Sequence, residues 1–265
     1  MTRILPFVAL LALSAAPLAA EPLPPGLHSA QLLPGWSEGG KRIAALELVL
    51  EPGWKTYWRS PGDSGLPPEF DWSGSTNLAG VSFHWPRPEP IDSGGEITLG
   101  YHDRLILPFT AHALQPDKPV DLAANVDLGL CERICVPARL ELRADAAQAQ
   151  PDPGIMAALA QAPQQSDRQP ACSLGPVDDG MRVVMRLPHD APLAAATELA
   201  AIELEGRPDI WVSDVDIDRH GQELRLAADL VPPDGQPFDV PRQQLRLTLI
   251  GADNAVEMQG CDPAG

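Results

Sequence analysis

Two cysteines, Cys131 and Cys135, lie close together in the segment LGLCERICVPARLEL. Such a pair can form a structural disulfide, supply two metal ligands, or exchange electrons with another protein as a dithiol and disulfide. In an extended strand their α-carbons would be about 13 Å apart, whereas a disulfide needs them within about 7 Å. The strand must therefore break between them, and we predict a tight turn or bulge at Glu132-Arg133-Ile134.

The residues around the pair favour exchange without excluding the other two uses. Pro137 cannot continue a central ladder, so we expect a small ring at a sheet edge, where strain and access ease attack by a thiolate. Arg133 would favour a thiolate and Glu132 would oppose it. His84 and His102 could complete a Cu(I) or Zn site, but neither has ligand-like spacing to the cysteines, so we assign no metal ligands.

The other two cysteines, Cys172 and Cys261, are suited to a structural disulfide. The chain has four cysteines, and in an oxidising compartment two disulfides are the default. Their spacing suggests that 131 pairs with 135 and 172 with 261. On the chain-entropy model, closing the long loop stabilises the fold by about 4.6 kcal/mol, and closing the short one by about 2 kcal/mol. Cys172–Cys261 is therefore expected to be the staple of the second half of the chain.

The start of the sequence predicts export. Residues 1–20 have the layout of a secretory signal peptide, with a cation at Arg3, an apolar run, and small residues before a cleavage point near Ala20. The apolar run is short for a bilayer span, and no later segment reaches the roughly 18 uninterrupted apolar residues that a spanning helix needs. We expect an exported protein without a transmembrane segment of its own.

Charge and motifs narrow the function further. The formal net charge is −17, and it becomes −18 when residues 1–20, with one cation and no acid, are removed. Nucleic acid is not an expected partner, because the 19 Lys and Arg residues are scattered among 36 acids rather than clustered. The sequence has no G-x-S-x-G, Gly-rich phosphate loop or H-E-x-x-H motif, so the cysteine pair is the candidate for chemistry.

The apolar periodicity predicts an all-β chain with two domains. Apolar residues alternate in ALELVLEPGW, RLILPF and RLELR within residues 21–144, and in RVVMRL, ELRLAADL and QLRLTLI within residues 171–265. The 30 prolines suit short strands joined by turns. Residues 145–170 lack alternation and are predicted to be a linker with a short helix, capped by Asp152 and begun by Pro153. Tandem β-sandwiches are the predicted architecture.

Three stretches together resemble a known family. They are PGWKTYWRSPGDSGLPPEFDWSGSTNL (52–78), GGEITLGYHDRLILPF (94–109) and VDLGLCERICVPARLEL (126–142). In this order they are similar to the amino-terminal periplasmic domain of the thiol:disulfide interchange protein DsbD, over roughly residues 30–143. The likeness is closer to stand-alone secreted members, which are predicted to assist cytochrome c biogenesis, and to the periplasmic part of ScsB-type relatives.

The resemblance implies a periplasmic immunoglobulin-like sandwich with a redox-active pair at Cys131 and Cys135, and we expect no cofactor. It implies a membrane-embedded thiol carrier as electron donor and periplasmic thioredoxin-like proteins as acceptors. Tyr57 matches an aromatic residue near the family's site, and Tyr101 lies in a matching strand, although packing in the sandwich core is an alternative role for both. With Arg133, these two tyrosines are the predicted supporting residues.

The sequence also departs from the family. The family's best-known member shields its disulfide with a loop that carries a phenylalanine, and the corresponding PEPIDSGGEI (88–97) has no aromatic residue. The cysteine spacing is shorter, and no thioredoxin-like C-x-x-C domain follows. The donor is therefore expected on another polypeptide. The alternative function is a secreted adaptor or copper-handling protein, in which the Cys131–Cys135 ring is structural or binds metal.

Overall fold

The computed structural model describes residues 23–92, 95–191, 194 and 196–264, so the predicted signal peptide lies outside the described residues. The described chain forms two β-sandwiches. The strands of the first are β1 (Leu27–Glu38), β2 (Lys41–Leu50), β3 (Lys55–Tyr57), β4 (Glu69–Asp71), β5 (Leu78–Phe83), β6 (Glu89–Asp92), β7 (Ile97–His102), β8 (Arg104–Ala113), β9 (Ala123–Cys131) and β10 (Cys135–Arg143).

The first sandwich packs a sheet with the order β1-β2-β8-β5 against a larger sheet with the order β10-β9-β3-β7-β6, in which β4 also pairs with β9. The predicted alternation explains how they meet. Leu105, Leu107 and Phe109 of β8 are 3%, 0% and 0% exposed, and Leu128 and Leu130 of β9 belong to the same core from the other sheet. Strand β10 forms one edge of the larger sheet.

The segment after the first sandwich contains helix α1 (Pro153–Leu159) and strand β11 (Gln164–Ser166). Asp152 caps the helix, because its carboxylate accepts hydrogen bonds from the backbone N–H groups of Gly154 and Ile155 at 2.8 and 3.0 Å. Ile155 is fully buried against Trp36 and Ala45. The helix is thereby fixed to the outside of the smaller sheet, which contains β1 and β2.

The second sandwich pairs a sheet with the order β11-β19-β18-β14 and a sheet with the order β15-β17-β13-β12-β20, in which β16 also pairs with β17. Its remaining strands are β12 (Ala171–Val177), β13 (Gly180–Pro188), β14 (Leu199–Leu204), β15 (Trp211–Val212), β16 (Asp216–His220), β17 (Glu223–Val231), β18 (Leu245–Ile250), β19 (Ala255–Gln259) and β20 (Asp262–Pro263), with a 3₁₀ turn at Arg242–Gln244.

The two sandwiches share an apolar contact. Ala201, Ile250 and Ala255 of the second sandwich belong to the buried cluster that forms the core of the first. The predicted all-β fold of tandem sandwiches is confirmed. Among the residues described, no helix is long and apolar enough to cross a membrane.

Candidate functional site: the Cys131–Cys135 hairpin

A β-hairpin places the two cysteines opposite each other. Cys131 ends β9, Cys135 begins β10, and the two are register partners. Their α-carbons are 4.1 Å apart and their sulfurs form a disulfide. The chain reverses at Glu132-Arg133-Ile134, where the sequence predicts a break in the strand. Pro137 is tolerated because β10 is an edge strand.

The two cysteines differ in exposure. Cys131 is 1% exposed, whereas Cys135 is an exposed residue on the edge strand. Ile134, directly before Cys135, is 76% exposed, which is unusual for a large apolar side chain. A thiol from another protein can therefore approach the disulfide from the side of Cys135, while Cys131 is covered by its own domain.

Tyr57 covers the inner sulfur. Its hydroxyl oxygen is 3.0 Å from Sγ of Cys131 and 3.3 Å from Sγ of Cys135. Disulfide sulfurs carry no hydrogen, so the hydroxyl is the donor. Tyr57 is 2% exposed, and burial raises the pKa of its hydroxyl above the ordinary value. The group thus stays protonated at neutral pH and remains a donor when the disulfide is opened.

A loop covers Tyr57 in turn. Strands β3 and β4 pair with the same side of β9, and residues 58–68 connect them. Trp58 enters the core, and Gly65 and Leu66 lie over the outer face of the sheet. We call residues 58–68 the cover loop. Gly129 of β9 makes room for it, because a Cβ there would lie 2.8 Å from Cβ of Leu66 and 3.2 Å from Cδ2 of Tyr57. Gly65 lies on the other edge of the same ring, where a Cβ would be 3.1 Å from Cδ1.

Residues 88–97, which contain no aromatic residue, contribute an aliphatic side chain beside the site. Ile91 of β6 is 4% exposed, and a Cβ at Gly100 would lie 3.1 Å from its Cδ1. Gly100 is the register partner of Tyr57, so Ile91 packs on the same outer face beside the site. Residues 93 and 94 of this segment lie outside the described residues.

Lys55 lies opposite the inner cysteine on the neighbouring strand. It is the register partner of Cys131 on β3, so the two side chains share a face of the sheet. Lys55 is 6% exposed, and burial lowers the pKa of its ammonium group, while the charge of Asp92 acts in the opposite direction.

The other predicted site residues lie elsewhere. Tyr101 points into the core, where its hydroxyl donates to the backbone oxygen of Pro86 at 2.8 Å and its ring stacks on Trp85, so the structure does not bring it to the disulfide. Arg133 is exposed at the tip of the hairpin. Cys172 and Cys261 form a buried disulfide in the second sandwich, across 89 residues of sequence.

The histidines considered as metal ligands have other partners. Nε2 of His84 is 2.8 Å from the hydroxyl of Thr110, and Nδ1 of His102 is 3.4 Å from the backbone oxygen of Trp54. Within the described part of the chain, no group of three or more His, Cys, Asp and Glu side chains is placed to hold a metal ion.

Sequence reasoning missed Lys55, Leu66 and Gly129. Gly129 carried a usable signal, because a glycine inside a strand often marks a close approach by another segment. Leu66 carried none, since it lies in a Pro- and Gly-rich loop without periodicity. The placement of Lys55 beside Cys131 depends on how β3 and β9 align, which their separate sequences do not reveal.

Comparison with known proteins agrees with this architecture. Residues 28–146 match the family model described as thiol:disulfide interchange protein DsbD, N-terminal. The crystal structure of the N-terminal periplasmic domain of ScsB from Proteus mirabilis matches with a TM-score of 0.63 and 22% sequence identity, covering 89% of this chain and 92% of that chain. No curated protein matches.

The ScsB match spans both sandwiches and establishes a shared fold. The family match covers the first sandwich, including the hairpin, Tyr57 and the cover loop. The resemblance predicted from the sequence is therefore confirmed: residues 28–146 match the DsbD amino-terminal family model and have an immunoglobulin-like fold.

Proposed function

We propose that this protein is a periplasmic electron relay that accepts reducing equivalents from a membrane-embedded thiol carrier and passes them to thioredoxin-like proteins through Cys131 and Cys135. The observation that supports this most strongly is the asymmetry of the disulfide. One cysteine is exposed on an edge strand, and the other is buried under a hydroxyl donor. A purely structural disulfide does not need to be accessible to other proteins, whereas thiol–disulfide exchange requires that access.

Reduction begins at Cys135 in this proposal. A thiolate of the donor attacks Sγ of Cys135, the bond between the two cysteines breaks, and Cys131 leaves as a thiolate. The hydroxyl of Tyr57, 3.0 Å away, donates to that thiolate as it forms. A second donor thiol then breaks the mixed disulfide, so the donor becomes oxidised to a disulfide and the pair becomes reduced, with two electrons transferred.

The reverse sequence passes the electrons on. The Cys135 thiolate attacks the disulfide of a thioredoxin-like acceptor and forms a mixed disulfide with it. Cys131 then attacks Sγ of Cys135, which restores the original disulfide and releases the acceptor as a dithiol. In both directions Cys135 is bonded to the partner, and Cys131 is the resolving residue.

Export and pathway form a further part of the proposal. The signal-peptide-like residues 1–20 support a periplasmic location, where oxidised and reduced thiol pairs coexist under enzymatic control. We propose cytochrome c maturation as the process served, on the resemblance to stand-alone secreted members of the family.

The test is to trap the partner. Cys131→Ala leaves an exposed Cys135 that cannot be resolved, so this variant should accumulate a reductant-sensitive adduct in the periplasm. Cys135→Ala leaves a buried thiol and should trap little or none. The captured protein should be thioredoxin-like or a membrane thiol carrier. If neither variant captures a partner and both only lose stability, the ring is structural; stoichiometric copper in the purified protein would instead support metal handling.

A further inference from the structure

The second sandwich holds the cover loop through Arg59, which lies two positions after Tyr57. Nε and Nη2 of Arg59 each donate to the carboxylate of Glu203 at 2.9 Å. Nη2 also donates to Glu257, and the guanidinium lies 4.4 Å from the ring centroid of Trp58. The side chains of Arg59, Glu203 and Glu257 are only 16%, 15% and 12% exposed.

An ion pair this far from solvent acts as a strong constraint. Separating the partners would leave charges in a poorly hydrated environment, which is costly even when the intact pair adds little net stability. Burial by itself raises the pKa of Glu257, but the charge of Arg59 outweighs it together with other contacts and leaves the pKa below its ordinary value. The carboxylate is thus charged and available to Arg59 at neutral pH.

A second contact holds the middle of the same loop. The carboxylate of Asp214, which follows β15 in the second sandwich, accepts a hydrogen bond from the backbone N–H of Asp63. A Cβ at Gly62 would lie 2.7 Å from Oδ1 of Asp214, so the two segments are in direct contact. The second sandwich therefore contacts the cover loop at two places, first at Arg59 and then at Gly62 and Asp63.

The rest of the cover loop contacts the residues of the redox site. Gly65 packs on Pro61 and on the ring of Tyr57, and Leu66 lies over Gly129. The backbone oxygen of Pro61 also accepts from the N–H of Leu99 at 2.9 Å, which ties the loop to β7. A continuous set of contacts thus runs from the second sandwich through the loop to the hydroxyl that touches both sulfurs.

We propose that the second sandwich is a positioning module for the redox site: through Arg59 and Gly62 it holds the cover loop over Tyr57 and so limits attack on the Cys131–Cys135 disulfide to the exposed side. Arg59, Glu203, Glu257 and Asp214 are positioning residues, since none touches the sulfurs. This role rests on the proposed exchange at that disulfide, but it assigns work to a domain that contains no reactive pair of its own.

Arg59→Met and Gly62→Ala in the full chain test this role by two routes. The first removes the ion pair. The second places a side chain where φ is +88° and Oδ1 of Asp214 is 2.7 Å away, so it displaces the loop by backbone strain as well as by contact with the second sandwich. The readout is the rate at which dithiothreitol reduces Cys131–Cys135, followed by alkylation and peptide mapping so that Cys172–Cys261 is scored separately. We expect both variants to react roughly tenfold faster, which corresponds to about 1.4 kcal/mol of lost stabilisation of the closed loop.

Two control variants separate positioning from general destabilisation. Arg182→Met removes a bidentate but more exposed arginine–carboxylate pair, to Asp229, on the sheet that contains β13 and β17, and should leave the rate unchanged. Leu247→Val lowers the stability of the second sandwich from its core without touching the loop. Unchanged rates in folded Gly62→Ala and Arg59→Met, or equal acceleration by Leu247→Val, would overturn the proposal.

The outcome of this experiment does not depend on whether the protein acts as an electron relay. Reduction by dithiothreitol needs no biological partner, so faster reduction in the loop variants would support positioning even if partner trapping failed. Should Arg59→Met not fold, Glu203→Gln decides the outcome, because it weakens the same ion pair from the second sandwich and leaves the sequence of the cover loop unchanged.

Discussion

The hydroxyl of Tyr57 lies 3.0 Å from Sγ of Cys131, on the outer face of the sheet, whereas the hydroxyl of Tyr101 on the neighbouring strand donates to a backbone oxygen in the core. The two tyrosines are thus a matched pair, alike in chemistry and burial and different in which face of the sheet they occupy. This difference allows the effect of a hydroxyl on the disulfide to be separated from its effect on the fold.

Tyr57→Phe should make the disulfide harder to reduce. The Cys131 thiolate loses a donor, and a hydrogen bond to a charged group contributes about 1.5–3 kcal/mol, which for this two-electron couple corresponds to about 30–60 mV. We expect the midpoint to become more negative by that amount when it is measured against glutathione above the pKa of the Cys131 thiol.

Tyr101→Phe is the control for that substitution. It should lower the free energy of unfolding by about 1 kcal/mol, because the backbone oxygen of Pro86 loses a buried donor, and it should leave the midpoint unchanged. Equal midpoints in the two variants would show that the Tyr57 hydroxyl does not stabilise the thiolate.

Replacement of both Cys172 and Cys261 by Ala should lower the free energy of unfolding by a few kcal/mol, since the crosslink closes a long loop, with the chain-entropy limit at about 4.6 kcal/mol. Urea denaturation measures the loss. Exchange at Cys131–Cys135 with glutathione should persist. Loss of this exchange in a still-folded variant would contradict the assignment of Cys172–Cys261 as structural and of Cys131–Cys135 as the redox pair.

Gly129→Ala should destabilise the first sandwich by about 1–3 kcal/mol, because the new methyl group meets the Cβ of Leu66 and the ring of Tyr57 in a filled space. Gly175→Ala is the matched comparison, since a Cβ at that strand position meets nothing within 4 Å. Urea denaturation of both tests whether the cover loop is packed on Gly129; equal stability would argue that it is not.

Asp214→Asn should stabilise the protein at neutral pH. Burial, followed by the nearby charges of Asp63 and Glu96, raises the pKa of Asp214, so the folded state favours its protonated form. Stability from this group therefore increases as the pH falls through its raised pKa and is lost as the pH rises above it. An asparagine oxygen can still accept from the N–H of Asp63.

Thermal or urea unfolding of wild type and Asp214→Asn across the acidic range checks this sign. The variant should be the more stable at neutral pH, and the difference should shrink as the pH falls. If the variant is less stable at neutral pH, the hydrogen bond from Asp63 to the charged carboxylate stabilises the protein more than the repulsion from neighbouring carboxylates destabilises it.

The sequence predicted the elements whose residues repeat with the period of a strand. Leu105, Leu107 and Phe109 alternate and line the core, and the geometry of a disulfide required the reversal between Cys131 and Cys135. The assignment of Tyr57 to the site came from the family resemblance. Tyr101 shows the limit of that reasoning, because a shift of one residue along a strand transfers a side chain to the opposite face.

The position of the cover loop, and the residues that hold it, could not be predicted from the sequence for a different reason. Residues 58–68 contain Pro, Gly and Ser without any period, so nothing local indicates which surface they will lie against. Arg59 is of a residue type expected on the surface, and its burial arises only because Glu203 and Glu257, far along the chain, meet it from another domain.

The edge strand that exposes Cys135 must also resist a second hazard. An open strand edge can template pairing with another unfolded or partly folded chain, and an exported protein with an unprotected edge would tend to aggregate. Pro137 offers no N–H for such pairing, and the charged Arg139, Glu141 and Arg143 occupy alternate positions further along the strand. The edge thus leaves the sulfur of Cys135 accessible, while Pro137 and the charged side chains oppose pairing with a foreign strand.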